Sequence, residues 1–178
     1  MTESSRRTLA VVVLAIGAGL AGFVLYRTLP HEAPAVRDPA PEVALPTLDG
    51  GAARLSDYRG KLVLINFWAT WCAPCLKEIP LLVEMQGRYA ARGLQILGPA
   101  MDDVEAVKIQ APRMGIRYPI LVGQEQIPAI MEKLGDTLGA LPFSVLISPD
   151  GYVVLRKHGE FSRDELTALL EKHLPIPG

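Results

Sequence analysis

The hydrophobic pattern divides the chain in two. Its first feature is "LAVVVLAIGAGLAGFVLY", Leu9 to Tyr26, a run with no charge and no polar face. Coiled as an α-helix rising ~1.5 Å per residue, it spans about 27 Å, close to the thickness of a bilayer core. Arg6 and Arg7 precede the run and Arg27 closes it, the flanks of an N-terminal signal anchor. The pattern therefore predicts a tail over 1–8 and one transmembrane helix over 9–27. A cleaved signal peptide ending at "APA", Ala33 to Ala35, is the competing reading. Its apolar region would exceed the usual length of about 7 to 15 residues, and Arg27 would interrupt the approach to the cleavage site. Arg6 and Arg7 before the span are nearly balanced by Arg27 and Arg37 after it, so charge alone does not orient it. Residues 28–41, "TLPHEAPAVRDPAP", hold four prolines and no apolar period, which predicts a semi-extended linker.

From Glu42 onward the pattern is that of alternating strands and helices. "EVALPTLDGGAARLSDYRGK" has short apolar runs separated by Asp49-Gly50-Gly51, a strand or hairpin turning at the glycines. "KLVLINFWA" is a continuous apolar run of strand length, which predicts a central strand buried on both faces. Between Pro74 and Ala91, Leu76, Ile79, Leu82, Val83 and Tyr89 recur near helical spacing, and Pro80 inside that pattern predicts a kink. "GLQILGPAMD" reads as a second central strand cut short by Gly98 and Pro99. A helix over Val104 to Met114, a short strand in "YPILVG" and a helix from Pro128 to Leu134 follow. "SPDG" between "FSVLI" and "YVVLRKHG" predicts an antiparallel hairpin. Ser162 and Glu165 form a capping box before a helix with Leu166, Leu169, Leu170 and Leu174 on one face. The expected fold class is α/β, a central mixed sheet flanked by helices over 42–178.

Composition narrows the function. At 178 residues and 49% hydrophobic content the chain can build one ordinary core, which excludes disorder and collagen-like structure. Lys and Arg number 18 against 19 Asp and Glu, so no basic surplus exists to neutralise phosphates, and nucleic acid is not an expected partner. Two cysteines make one bridge at most, too few for a small disulfide scaffold.

Both cysteines lie in "NFWATWCAPCLKEIP", Asn66 to Pro80, where a buried strand passes into a helix. Cys72 then sits at the helix N-terminus, where free N–H groups and the helix dipole favour thiolate and make it the better nucleophile. Cys75, one turn further in, is shielded and placed to resolve a mixed disulfide formed at Cys72. Three other uses compete. A structural staple closing so short a loop stabilises by only about 2 kcal/mol before strain. Structural zinc lacks a second ligand pair, because His31, His158 and His173 are scattered. Copper(I) held by Cys72 and Cys75 stays open as a secondary role.

These residues also carry a resemblance. Taken in order from Glu42 to Leu174, the blocks "LPTLDG", "LSDYRGK", "NFWATWCAPCLKEIP", Leu141-Pro142 and "SPDGYVV" resemble the thioredoxin superfamily. Within it they are similar to the TlpA-like membrane-anchored bacterial disulfide reductases, a group that includes the thioredoxin-like proteins of cytochrome c maturation. The resemblance implies a thioredoxin-like fold preceded by one transmembrane helix and a redox-active Cys72–Cys75 disulfide with no other cofactor. It also implies Pro142 as a cis-proline facing the cysteines, which leaves the backbone of Leu141 to pair with an extended substrate. Without it, Pro142 reads as a trans proline starting a strand. Glu78 has two readings. It is either a solvated surface charge, or a carboxylate that exchanges a proton with Cys75 from the same helix face, as the glutamate of the TlpA-like group implies. Asn66 stands where ordinary thioredoxins place a buried aspartate, which leaves Glu78 as the nearest titratable replacement. Trp71 either covers Cys72 and contacts substrate or simply packs. Leu141 and Phe143 depart from the small or β-branched polar residues that commonly flank the proline, and this bears on substrate choice.

The leading function is therefore a thiol-disulfide oxidoreductase, most simply a reductase, tethered to a bacterial inner membrane with its domain in the periplasm. The resemblance implies re-reduction by a membrane electron donor. The implied substrates are the haem-site cysteines of apocytochrome c or the cysteines of a cytochrome oxidase copper site. A copper(I) metallochaperone is the alternative from the binding class. A thiol peroxidase is a third reading, because peroxiredoxins share the fold and Cys75-x-x-Glu78 is faintly similar to their motif. Against it, the peroxide-orienting threonine of that motif is Cys72 here and its proline is Trp68. Ala73-Pro74 between the cysteines does not fix the direction of electron flow.

Overall fold

The computed structural model describes residues 38–175, so the span 9–27, the tail before it and most of the Pro-rich segment lie outside the described residues. Among the described residues no helix is long and apolar enough to cross a membrane.

Among the described residues the first strands are β1 (Ala44–Pro46) and β2 (Ala52–Arg54), paired antiparallel as a hairpin. Gly50 in its turn has φ +89, a conformation that side chains with a Cβ rarely adopt. Then come β3 (Leu62–Phe67), α1 (Ala73–Tyr89), β4 (Leu94–Ala100), α2 (Val104–Arg113) and β5 (Ile120–Val122). The last elements are α3 (Ile127–Lys133), β6 (Phe143–Ile147), β7 (Val153–His158) and α4 (Arg163–His173). The five-stranded sheet has the order β5-β4-β3-β6-β7. β3 pairs parallel with β4 and β4 with β5, while β6 runs antiparallel to β3 and β7 to β6. This is a thioredoxin-like sheet.

All six residues of β3 are buried, so the strand lies at the centre, and period-2 alternation divides its side chains between two cores. Val63, Ile65 and Phe67 face one core with Val145, Ile147, Ile127 and Met131. Leu62 and Leu64 face the other, packed against Leu82, Met85 and Tyr89 of α1 and Leu166 and Leu170 of α4. Burying each such aliphatic side chain stabilises by about 1.5–3 kcal/mol. Asn66 is even-numbered and therefore faces the α1–α4 side.

One expectation changes. β4 is not cut short at Gly98-Pro99 but continues to Ala100, paired with β5 from Gly98↔Ile120 to Ala100↔Val122. Gly98 serves close approach there: a Cβ would lie 3.0 Å from the Tyr118 ring and 3.4 Å from Trp68 Nε1. The Pro99 carbonyl still accepts from Trp68 N at 3.1 Å. The expected helix with Pro80 inside it forms as α1, and Pro80 is on its exposed side; buried Ile79, Leu82, Met85 and Tyr89 on the opposite side offset the cost of about 3 kcal/mol for an interior proline.

The end of the Pro-rich segment pairs with the sheet edge. Val153 N donates to Asp38 O at 2.8 Å and Ala40 N to Gly151 O at 3.0 Å, beside an Asp38–Arg156 ion pair. At the other edge Leu48 N donates to Ile120 O at 2.9 Å. Short pairings of this kind occupy strand edges that would otherwise template another chain.

Candidate active site

Beyond β3 the backbone turns through Trp68 to Trp71 and enters α1 with Cys72 as its N-cap. Trp68 is fully buried and anchors the turn, donating from Nε1 to Gly98 O at 3.3 Å and accepting from Met101 N at 2.8 Å through its carbonyl. Thr70 fixes the next step, because its N and Oγ1 both donate to Asp102 Oδ2, at 2.8 and 2.6 Å. The chain thus reaches Cys72 on a preset path.

Cys72 and Cys75 are bonded as a disulfide. Cys75 N donates to Cys72 Sγ at 3.3 Å, an N-capping contact that places an unpaired helix N–H on the first sulfur. The sulfurs differ in access: Cys72 is 5% exposed and Cys75 is 0%. Pro74, in the first turn, gives up an N–H that no helical carbonyl needs.

The Leu141–Pro142 peptide bond is cis, and Pro142 is buried immediately before β6. The register Phe67↔Phe143 brings it level with the end of β3. Leu141 is partly buried and packs against the cluster that contains both cysteines. Trp71 is 64% exposed, so it does not act as a packing residue.

Glu78 is 2% exposed, and the surface-charge reading of it fails. Its Oε1 accepts from Phe161 N at 2.7 Å and its Oε2 from Asn66 Nδ2 at 3.0 Å; Asn66 also donates to Ser144 Oγ at 2.9 Å. Burial pushes the Glu78 carboxyl above its ordinary value, against the opposing pull of the bonds from Phe161 and Asn66. Asn66 and Ser144 are register partners across β3 and β6, so one polar rung crosses two otherwise apolar strands directly beneath α1.

Three features went unseen in the sequence. Ser144 had a signal, the sole polar residue in "FSVLI". Thr70–Asp102 had none. Asp136 had none either: it is buried, and its Oδ1 accepts from Leu138 N at 2.8 Å, Gly139 N at 3.0 Å and His158 Nε2 at 2.8 Å, bracing the loop that leads to Pro142. Among the described residues no third Cys, His, Asp or Glu joins the two sulfurs in a group able to hold a metal ion.

A disulfide capping the helix that follows the central strand, beside a cis-proline that opens the neighbouring strand, defines a thiol-disulfide oxidoreductase of the thioredoxin fold. The chain belongs to the AhpC/TSA family, which its residues 36–156 match. It is 34% identical over 176 residues to the thiol-disulfide oxidoreductase ResA of Bacillus thuringiensis, covering 97% of this chain and 99% of that one. The ResA of Geobacillus thermodenitrificans is 32% identical over 178 residues, with 98% and 100% covered. Among solved structures, a thiol:disulfide interchange protein of the thioredoxin family from Chlorobium tepidum TLS matches with TM-score 0.70 and 30% identity, over 79% of this chain and 99% of that one. The activity of this chain is dithiol-disulfide exchange.

Proposed function

We propose that the chain is a membrane-anchored reductase of protein disulfides, with Cys72 as nucleophile and Cys75 as resolving cysteine. The asymmetry of the two sulfurs carries this reading: only Cys72 receives a helix N–H, and only Cys75 is wholly enclosed. In the dithiol form the Cys72 thiolate attacks a substrate disulfide, joins one substrate sulfur and releases the other as a thiolate. Cys75 loses its proton to Glu78 and attacks the Cys72 sulfur. The Cys72–Cys75 disulfide forms, the second substrate thiolate leaves, and two electrons have passed to substrate. Glu78 suits this step because it follows Cys75 by one helical turn and its buried carboxylate binds a proton more readily than an exposed one.

Leu141 and Pro142 hold an extended substrate strand, and Trp71 supplies an exposed aromatic surface beside Cys72. The apolar run Leu9 to Tyr26 anchors the protein in the bacterial inner membrane, with the domain on the periplasmic side, where a membrane electron donor restores the dithiol. The substrates are cysteine pairs awaiting haem in apocytochrome c, or copper in an oxidase site. The names of the ResA relatives support the oxidoreductase class alone. Equilibration with glutathione tests the direction. A reductase has a potential near or below that of thioredoxin, about −270 mV, and a value near that of the strong dithiol oxidant DsbA, about −120 mV, overturns the reading.

A further inference from the structure

The buried Glu78 has a second outlet. Its side chain lines a cleft of about 390 Å³ between α1 and the connection from β7 to α4, together with Lys77, Leu81, Glu160, Phe161, Ser162 and Glu165. Across it Lys77 Nζ pairs with Glu160 Oε1 at 2.6 Å, with the lysine side chain 74% and the glutamate 38% exposed. Glu160 directly precedes Phe161, whose N–H holds Glu78 Oε1. The charged and titratable groups facing Glu78 are Glu160 on this connection, Lys157 on β7 and Tyr118 ahead of β5. Lys157 is engaged by Glu165 of α4 at 2.9 Å.

A proton taken by Glu78 must return to water in every cycle. While a protein substrate is attached to Cys72, it covers the face of the disulfide. Neither Cys72 nor Cys75 lines the cleft, which is walled by α1 and the β7–α4 connection. We propose that this cleft is the proton port of the active site, with Glu160 receiving the proton of Glu78 and passing it to solvent, and Lys77 positioning Glu160 over the opening. The step moves one proton and no electrons: Glu78 returns to carboxylate, and Glu160 is protonated only in passing. The inference rests on Glu78 as the acceptor for Cys75.

The test uses the full-length dithiol protein and an aromatic disulfide such as dithiobis-nitrobenzoate, which releases one coloured thiolate when Cys72 attacks and a second when Cys75 resolves. In Glu160→Gln the second phase is expected to slow about tenfold, part of the ~10²–10⁴-fold that proton transfer to a positioned base contributes. Imidazole, a small proton carrier that fits the cleft, should restore it, and Lys77→Ala should show a weaker form of the same defect. Glu78→Gln should slow the second phase without imidazole rescue. If Glu160→Gln keeps the wild-type rate, or slows and is not rescued, while Glu78→Gln is slow, the port is wrong and the role of Glu78 stands. If Glu78→Gln resolves at the wild-type rate, both fall.

Discussion

Replacing Asn66 by Asp sets a second carboxylate against Glu78 inside the core. Asn66 Nδ2 is 3.0 Å from Glu78 Oε2, and both residues are buried. Oxygens at that separation put the carboxylate centres about 4 Å apart, a repulsion of about 4 kcal/mol at an effective dielectric of ~20. The pair escapes by keeping one proton. Holding it at pH 7 on a group that ionises near pH 4 when unfolded costs ~1.4 kcal/mol per pH unit, about 4 kcal/mol in all. At pH 5 the same proton costs about 1.4 kcal/mol, so protonation becomes the smaller penalty. Above pH ~4 the folded pair binds more protons than the unfolded chain, and stability therefore falls as pH rises. Glu78 in the natural protein has the same sign. Burial raises its pKa, so its contribution is complete below the unfolded value and lost as pH rises through the folded one. Urea unfolding followed by the fluorescence of buried Trp68 reads the effect. With a slope of ~2 kcal/mol per molar urea, Asn66→Asp should lower the midpoint by about 2 M at pH 7 and by under about 1 M at pH 5. Equal losses at the two pH values would refute the coupling of Asn66 and Glu78.

Cys75→Ser removes the resolving sulfur, so substrates should accumulate on Cys72 as mixed disulfides visible on non-reducing gels; a variant that traps nothing in cells contradicts the exchange mechanism. Gly98→Ala puts a methyl group 3.0 Å from the Tyr118 ring, in a packed region where overfilling costs about 1–3 kcal/mol, and an unchanged melting temperature would refute that fit. Asp136→Ala removes the acceptor shared by Leu138 N, Gly139 N and His158 and should cost about 2–3 kcal/mol at pH 7. Burial pushes the Asp136 carboxyl up, but these hydrogen bonds outweigh it and hold it below its ordinary value. Its stabilisation is therefore present above the unfolded pKa and lost as pH falls through the folded one. The urea midpoint deficit of Asp136→Ala should narrow below pH ~4, and a constant deficit argues against the charge.

The local pattern exposed what local physics decides. The apolar run of β3, the Ser162–Glu165 capping box and the Ser148–Gly151 turn each form where their residues place them. The position of Cys72 at a helix start was legible for the same reason. The passage of β4 through Pro99 was not, because it depends on Tyr118 and Trp68 closing on Gly98 from elsewhere in the chain. The setting of Glu78 depends on Asn66, 12 residues before it, and Phe161, 83 after it, so spacing alone could not choose between surface and core. Asp136 and His158 likewise meet only after β7 has folded back along β6.

The pairing of Asp38 with the start of β7 also fixes how the domain is presented. Register sets Val153 beside Ile147 and His158 beside Phe143, and Phe143 is at the disulfide end of the sheet. The chain therefore joins the domain at the opposite end, a strand length of about 17 Å away. Within the domain, the disulfide and the Asp38–Ala40 pairing therefore occupy opposite ends of the sheet. A pull on the segment loads the hydrogen bonds of Asp38 and Ala40 to the β7 edge before it reaches the redox face.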